Sequence, residues 1–306
     1  MPNSRSAPPG AILLATDLSA RCDRAVSRAL QLARQWNARL VVATVLPPVP
    51  AQRMIAGILD APDPLVREHA RQSVEWRLRR DLGAEADDVA LEVRIGEGHV
   101  GRALLQLATE AGCGLIVTGI ASDPAFELPA LGSSVLWLTR HCPLPLLVVH
   151  RRVRAPYRNL AVATDFSESA RHATCQALDL FGPPLRLALV HALETPGSAL
   201  RAGDRQMLEA QARLRANEQA RDFQAGLPAL AAPGQVQAVI EPGDPARLLR
   251  QHAEAQDIDL AVVGTHGRGA LFELLIGSVA RRLVATLETD TLLVRDPRSL
   301  PPQPEP

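Results

Sequence analysis

The residues with the clearest chemical potential form a glycine-rich segment in the second half of the chain. Gly264 is followed by Gly267 and then, after nine intervening residues, by Gly277 and Ser278, a G-x2-G-x9-G-S spacing. Glycine has no Cβ atom, so the N–H groups of such a loop can approach a bulky anion. We expect Gly277, Ser278 and Val279 to open a helix, whose unpaired N–H groups and positive dipole end attract phosphate. The spacing therefore predicts a phosphate-binding site.

Side chains within this segment could strengthen the site. Arg268 carries a guanidinium group that can bridge an anion with several donors, and Ser278 can add a hydroxyl. His266 either contacts the ligand or is simply exposed to water, and both interpretations stay open. The candidate residues of the segment are Gly264, Thr265, His266, Gly267, Arg268, Gly269, Gly277, Ser278 and Val279.

A carboxylate is expected at the same edge of the predicted sheet. Thr164 and Asp165 come at the end of the apolar run 159–164, and the carboxyl ends of parallel strands meet at one edge. A carboxylate repels phosphate, but it suits the hydroxyl donors of a ribose or the amino group of adenine. Alternatively, Asp165 and Ser167 only form a turn that caps the following helix. Taken together, the two segments predict a nucleotide site, with no catalytic residue and no metal ligand predicted.

The chain contains two copies of one pattern. AILLATDLS at 11–19 recurs as NLAVATDFS at 159–167, an offset of 148 residues. LIVTG at 115–119 recurs as LAVVG at 260–264, an offset of 145 residues. Repeated segments at nearly the same offset indicate two homologous domains. We predict domains at 1–152 and 153–306, a short exposed linker at 151–156, and a disordered Pro-rich tail from about 297.

The elements that must position these residues alternate between short apolar runs and longer amphipathic ones. This alternation predicts two tandem doubly wound α/β domains, each with a five-stranded parallel sheet covered on both faces. The predicted strands lie near 11–16, 39–46, 88–95, 114–119, 145–150, 159–164, 185–192, 235–241, 259–264 and 290–295. In the second half, the predicted helices lie at 167–180, 199–226, 244–255 and 277–287, with Ser167 and Asp244 as N-caps and Pro245 at the first helical position.

The charge composition excludes several classes of function. The 306 residues include 33 basic and 33 acidic side chains, so no net charge attracts nucleic acid or an anionic membrane. Every basic residue is arginine. The absence of lysine excludes a Schiff-base lysine, a Walker A loop and the phosphate-binding lysine of protein kinases. Any phosphate must be held by backbone N–H groups, hydroxyls or arginine.

Cysteine usage and hydropathy predict a cytoplasmic protein. The four cysteines are isolated, without C-x-x-C or zinc-like spacing, so we expect reduced thiols and no metal site. No apolar run approaches the roughly 20 residues that a membrane span requires. We therefore expect neither nucleic acid nor a membrane among the partners.

The motifs resemble those of a tandem universal stress protein. The resemblance rests on the ATDFS segment 163–167 and on the G-x2-G-x9-G-S motif, and it extends over 11–150 and 158–296. It implies a flavodoxin-like sheet of the adenine nucleotide alpha hydrolase type, which binds ATP or another adenine nucleotide, with or without Mg²⁺. Asp165, His191 and Ala192 would then lie around the adenosine, with the glycine loop and Ser278 on the phosphates. The family also implies pairing of domains through the last strands, here within one chain. Pairing of two chains stays open.

The first half departs from this motif. Asp17, Gly119, Gly132 and Ser133 are retained and form a possible degenerate second site. In the loop between them, Ser122, Asp123 and Pro124 stand where the second half has Gly267, Arg268 and Gly269. These changes add a side chain, replace a donor by a repelling charge and delete an N–H group. We expect the first half to dock against the second rather than to bind nucleotide.

Three hypotheses of function follow. The first is a stress-response regulator or sensor that binds an adenine nucleotide in its second half. The second is a slow ATPase or phosphoryl-transfer enzyme that uses the same site. The third is a nucleotide-free scaffold for protein interactions, in which the glycine motif only shapes a loop.

Overall fold

Strands and helices alternate along both halves of the chain in the computed structural model, which describes residues 8–46, 64–120, 132–193, 202–227, 234–265 and 278–299. The elements of the first half are β1 (Ala11–Ala15), α1 (Asp23–Trp36), β2 (Arg39–Leu46), α2 (Pro64–Ala86), β3 (Leu91–Glu97), α3 (Val100–Glu110), β4 (Leu115–Gly119), α4 (Ser133–His141) and β5 (Leu146–Val149). Those of the second half are β6 (Asn159–Ala163), α5 (Glu168–Phe181), β7 (Arg186–Leu193), α6 (Ala202–Ala225), β8 (Val236–Pro242), α7 (Pro245–Ala255), β9 (Leu260–Gly264), α8 (Ser278–Thr286) and β10 (Asp290–Val294).

The described strands form one continuous ten-stranded sheet. Its order is β3-β2-β1-β4-β5-β10-β9-β6-β7-β8, so each half contributes five strands with the same order. Neighbouring strands within each half are parallel, whereas β5 and β10 are antiparallel, with Leu146 opposite Leu293 and Val148 opposite Thr291. The predicted α/β architecture and the pairing of the halves through their last strands are therefore confirmed.

Two hydrophobic cores cover the two faces of this sheet. Successive side chains of a strand point to opposite faces, so Ile12 and Leu14 enter one core while Leu13 and Ala15 enter the other. All five residues of β1 are buried, as expected for a strand covered by helices on both faces. Each core contains residues of both halves, so apolar packing is continuous across the β5–β10 pair.

Local capping signals define the helix starts as the sequence predicts. Ser167 Oγ accepts a hydrogen bond of 3.2 Å from the Ala170 N–H at the start of α5. Asp244 Oδ1 accepts one of 2.9 Å from the Arg247 N–H, and Pro245 is the first residue of α7. The third strand is displaced from its predicted position, because 87–90 form the turn that follows α2 and β3 begins at Leu91.

The structure describes parts of the two segments that the sequence predicts to be irregular. The tail predicted to be disordered from about 297 begins with a 3-10 turn, Pro297–Ser299, in which Asp296 Oδ1 accepts a hydrogen bond of 3.0 Å from the Arg298 N–H. The linker is predicted to be exposed, and in the structure Arg152 and Arg154 are exposed to solvent. Tyr157, directly after the linker, is only 5% exposed because its ring packs into the core.

Among the helices that the structure describes, none combines the length and the apolar character that a membrane span requires. The four cysteines are free thiols, with Cys113 and Cys142 buried and Cys22 and Cys175 half-buried.

Candidate functional site

Three neighbouring strands of the second half bring most of the described candidate residues to one edge of the sheet. β6 lies between β7 and β9, and Ala163 at its end is in register with Val190 of β7 and Val263 of β9. All three strands are parallel. Their carboxyl ends therefore carry Thr164 and Asp165, His191 and Ala192, and Gly264 and Thr265 at a common edge.

The turn after β6 is held by its own side chains. Thr164 N–H donates to Val190 O at 3.0 Å, and Thr164 Oγ1 accepts from the Phe166 N–H at 2.8 Å. Asp165 Oδ1 accepts from the Ser167 N–H at 3.0 Å, and Ser167 then caps α5. The turn interpretation of Asp165 is thus correct. Asp165 can form this turn and also contact a ligand at the edge of the sheet, because the turn keeps its half-buried carboxylate at the end of β6.

The conformation of Phe166 identifies this turn as strained. Its φ of 58° lies in the left-handed region, which a bulky side chain rarely adopts, and Leu18 has a φ of 64° at the equivalent position of the first half. Backbone strain of this kind persists where the surrounding structure fixes it, and it is common at ligand sites. Here the Phe166 ring is only 8% exposed and packs in the core.

An aromatic cluster that the sequence did not predict lies beside the turn. His191 is half-buried, and its ring centroid is 4.7 Å from that of Phe166, which in turn lies 5.8 Å from that of Phe223. His191 Nδ1 lies 2.8 Å from Thr164 O. A carbonyl oxygen only accepts, so Nδ1 is the donor in this bond. This bond ties the end of β7 to the end of β6.

The end of β9 and the start of α8 lie on the phosphate side of the predicted site. Gly264 is the last residue of β9, as predicted, and Thr265 N–H donates to Val294 O at 3.0 Å. Thr265 is 2% exposed. α8 begins at Ser278, and Val279 is 38% exposed. His266, Gly267, Arg268, Gly269 and Gly277 lie outside the described residues.

The first half repeats the turn but not the start of the helix. Thr16 Oγ1 accepts from the Leu18 N–H at 3.1 Å, and Asp17 Oδ1 accepts from the Ser19 N–H at 2.9 Å. A 3-10 turn, Ala20–Cys22, then precedes α1, and Cys22 Sγ donates to Asp17 Oδ1 at 3.2 Å. Burial of Asp17 opposes ionisation, but the bonds from Ser19 and Cys22 outweigh it and lower the carboxyl pKa.

The 3-10 turn gives Gly119 a packing role. A Cβ atom on Gly119 would lie 3.1 Å from Arg21 O, closer than most real Cβ contacts. The backbone of Arg21 therefore covers the end of β4, where the sequence comparison between the halves suggests a degenerate phosphate site. Gly132 is the N-cap of α4 and Ser133 its first residue. Ser122, Asp123 and Pro124 lie outside the described residues.

The cavity beside the first-half turn is acidic. It has a volume of ≈ 450 Å³, and its walls include Thr16, Cys22 and the carboxylates Asp23, Asp81 and Glu85. Three carboxylates near one cavity repel a phosphate chain. The described part of the first half therefore disfavours a nucleotide on electrostatic as well as steric grounds.

The comparisons with known proteins agree with this geometry. The family model described as "Universal stress protein family" matches residues 10–150 and again residues 156–295. The chain belongs to the universal stress protein family. It contains the family's domain twice, which confirms the tandem arrangement predicted from the internal repeat.

Similar proteins extend over one or both halves of this universal stress protein. A universal stress protein of Mycolicibacterium smegmatis is 27% identical over 295 residues, which is 93% of this chain and 96% of the relative. A universal stress protein of Thermus aquaticus is 32% identical over 140 residues, covering 45% of this chain and 99% of the relative. The crystal structure of a universal stress protein from Archaeoglobus fulgidus superposes with a TM-score of 0.65 at 18% identity, over 94% of this chain and 98% of that one. That structure shows the shared fold.

Proposed function

We propose that this universal stress protein binds ATP or a related adenine nucleotide in its second half and acts as a cytoplasmic regulator or sensor in a stress response. The observation that carries the proposal is the convergence of β6, β7 and β9 at one edge, with Asp165, Ala192 and Thr265 at their carboxyl ends. Ligands of open α/β sheets bind in the crevice outside these strand ends. We further propose that the domain boundary lies between Arg152 and Val153.

Each part of the site has a role that its chemistry supports. The Asp165 carboxylate would accept hydrogen bonds from the ribose hydroxyls or the adenine amino group. The end of β7 at His191 and Ala192 would line the adenosine. Backbone N–H groups of the 264–279 segment, with Ser278 and the guanidinium of Arg268, would hold the phosphates. Mg²⁺ would arrive with the phosphates, because this ion is usually held by substrate phosphates and water molecules with one or two carboxylates.

Binding rather than rapid catalysis fits the available side chains. Phosphoryl transfer needs a group that positions or deprotonates the nucleophile, together with a metal that neutralises charge. Among the residues that the structure describes at the ends of β6, β7 and β9, Asp165 is the one carboxylate, and one carboxylate does not supply both a base and a set of metal ligands. We therefore propose that nucleotide occupancy, not turnover, carries the signal. The first half would serve as a docking partner for the second.

The proposal is tested by identifying what the purified protein carries. The protein is denatured immediately after purification, and the released small molecules are identified by mass spectrometry. ATP is then titrated into nucleotide-free protein by calorimetry. We expect one adenine nucleotide per chain. Two per chain would contradict the assignment of the first half, and no binding at millimolar ATP would favour the scaffold hypothesis.

Two variants locate the site. Gly267→Asp adds a side chain and a negative charge where phosphate is expected, so it should abolish ATP binding. Ser122→Gly, at the corresponding position of the first half, restores only one of three altered residues and should leave the stoichiometry at one. Magnesium-dependent ATP hydrolysis that is lost in Gly277→Val would support the ATPase hypothesis instead.

A further inference from the structure

A cleft lies where the two halves meet, away from the edge formed by β6, β7 and β9. Its volume is ≈ 740 Å³, within the usual range of small-molecule sites. We call it the junction cleft and define it by Arg24, Arg28, His150, Arg152, Arg154 and Asp290, which all line it. These residues come from α1, from the end of β5, from the linker and from the start of β10. The cleft therefore exists only because the two halves are joined.

One of the four acidic groups that line the cleft, Asp290, is already neutralised. Asp290 is fully buried, and its Oδ1 accepts from His150 N–H at 2.7 Å and from Arg151 N–H at 2.8 Å. Its Oδ2 accepts from Tyr157 Oη at 2.6 Å and lies 3.4 Å from Arg28 Nε. A buried carboxylate with an ion-pair partner and three hydrogen bonds does not act as an isolated negative charge.

The same contacts fix the linker backbone. Arg28 donates from Nη1 to Ala155 O at 3.0 Å, and its guanidinium carbon lies 4.1 Å from the centre of the Tyr157 ring. Arg151 Nε donates to Glu288 O at 3.1 Å. The backbone is thus anchored on both sides of Arg152 and Arg154. Their side chains extend from a preorganised segment, which reduces the entropy lost when a ligand orders them.

Three guanidinium groups at the cleft remain available to an anion. Arg24 donates from Nη1 to His150 O at 2.6 Å, which leaves its other nitrogens as donors. Arg152 and Arg154 are exposed, and within the described part of the chain none of these three arginines forms an ion pair. Two other acidic residues line the cleft: Asp259 accepts from the N–H groups of Arg158 and Asn159, and Asp257 lies 4.0 Å from Arg151. Glu288 is the remaining acidic residue of the wall.

His150 adds an unsatisfied polar atom beside the cleft. The residue is 4% exposed, and its Nε2 has no hydrogen-bond partner among the described residues. Burial lowers the His150 pKa to about 4, which keeps the imidazole neutral. Buried polar atoms without a partner are rare in folded proteins, and they often face the position of a bound ion, water molecule or ligand.

We propose that the junction cleft binds a small polyanion, with two or more phosphate or carboxylate groups, through Arg24, Arg152 and Arg154. Arginine is suited to this because its planar donors match the geometry of both kinds of oxyanion. The ligand would contact α1 of the first half and the linker at once. Its binding would therefore stabilise the junction between the halves. This site is independent of the proposed nucleotide site in the second half.

The test uses the full chain and pyrophosphate as the probe, with citrate as the carboxylate alternative. Binding is measured by calorimetry in low salt for the parent, for Arg152→Gln/Arg154→Gln and for a control, Arg77→Gln/Arg215→Gln. The control removes the same charge from exposed arginines on α2 and α6, which form no ion pair in the described part of the chain. Neither member of the first pair makes a described contact through its guanidinium, so this variant is expected to fold.

In the Gly267→Asp background, which removes the phosphate site proposed in the second half, the proposal expects one pyrophosphate or one citrate per chain, weakened about tenfold by Arg152→Gln/Arg154→Gln and unchanged by the control. Competition between the two probes identifies which oxyanion the cleft prefers. Gly267→Asp separates this site from the proposed nucleotide site, since it should leave the binding intact. The proposal is overturned if neither probe binds at millimolar concentration, if the two double variants behave alike, or if Gly267→Asp abolishes the binding.

Discussion

Tyr157 and Asp290 are joined by a hydrogen bond of 2.6 Å from Tyr157 Oη to Asp290 Oδ2. Burial, reinforced by the neighbouring Asp290 carboxylate, raises the Tyr157 pKa well above its ordinary value, so the phenol remains a donor. The bond connects the end of the linker to the start of β10. Since Asp290 also binds the His150 N–H and Arg28 of the first half, this one carboxylate ties the two halves together.

Removal of the Asp290 carboxylate should be strongly destabilising. Asp290→Ala leaves a buried guanidinium at Arg28 without its counter-ion, a change that typically costs about 3–5 kcal/mol. Urea unfolding should therefore show a large loss of stability. Adding Arg28→Met, which removes the unpaired charge, should recover part of it. Asp88→Ala breaks an exposed ion pair with Arg34 and is the control, expected to leave the unfolding midpoint nearly unchanged. If Asp290→Ala and Asp88→Ala had equal effects on stability, Asp290 would not act as the buried counter-ion of Arg28.

Acid should weaken the junction through His150. Burial lowers its pKa from 6.5 to about 4, with Arg151 and Arg24 adding to the effect and Asp290 opposing it. Between these two values the unfolded chain binds the proton and the folded protein does not, so stability falls as the pH falls. At 1.36 kcal/mol per unit, the loss is about 3 kcal/mol between pH 6.5 and pH 4.

The measurement is the free energy of unfolding as a function of pH. His150→Gln cannot titrate, so it should flatten the curve in this range. Burial also lowers the pKa of His252, so protonation of this residue likewise favours the unfolded chain. His252→Gln is the matched control and should flatten the curve less than His150→Gln does. A carboxylate with a lowered pKa, such as Asp296, loses its stabilising effect below its ordinary value of 3.8, which lies under this range. A curve for His150→Gln that parallels the parent would contradict the prediction.

The sequence predicts the parts of the fold that depend on local patterns. Short apolar runs between amphipathic segments locate the strands, and the Ser167 and Asp244 caps mark two helix starts. The position of Asp165 at the edge follows from parallel topology alone. The junction could not be predicted in this way, because Arg28 and His150 are separated from Asp290 by 262 and 140 residues and meet it only in the folded sheet. The close approach of Arg21 O to Gly119 could not be predicted from the sequence either, because it depends on a 3-10 turn that the second half lacks at this position.

The packing of α3 on α4 explains a difference between the halves. A Cβ atom on Gly101 would lie 2.5 Å from Trp137 Cε3, so the indole ring requires glycine there. The positions 145 residues later are Ala246 and Arg282, and Arg282 instead forms an ion pair with Asp244. Glycine and tryptophan in the first half thus correspond to alanine and arginine in the second.

A double-mutant cycle tests this dependence. Gly101→Ala in the parent should destabilise the protein by about 1–3 kcal/mol, because the new methyl group displaces Trp137. In a Trp137→Arg background the same change should be neutral or stabilising by up to about 1 kcal/mol, since alanine is the better helix former. Urea unfolding of the four proteins gives the coupling energy. Additive effects would mean that Gly101 and Trp137 do not constrain each other.

The four thiols should differ in reactivity. Burial raises the pKa of Cys113 to about 11 and that of Cys142 to about 12, so few thiolates form there at neutral pH. Cys22 and Cys175 also have raised pKa values but are only half-buried. Alkylation with iodoacetamide followed by peptide mass spectrometry should label these two first. Denaturant should be needed for Cys142, and rapid labelling of Cys142 in the native protein would contradict its burial.

The two equivalent aspartates provide a matched test of the proposed nucleotide site. Asp165 Oδ1 accepts from the Ser167 N–H at 3.0 Å and Asp17 Oδ1 from the Ser19 N–H at 2.9 Å, so each alanine substitution removes this bond from its turn, and Asp17→Ala also removes the bond from Cys22 Sγ. Asp165→Ala should also remove an acceptor for the ribose or the adenine, and it should weaken ATP binding about tenfold.

Asp17→Ala should leave ATP binding unchanged, because the acidic cavity and the Arg21 backbone disfavour a nucleotide in the first half. Calorimetry of both variants, with thermal unfolding to compare their stabilities, separates the loss of an acceptor from a damaged turn. If Asp165→Ala lowers stability as much as Asp17→Ala and leaves ATP affinity at the parent level, Asp165 only shapes the turn. If Asp17→Ala weakens binding equally, the first half participates in the site.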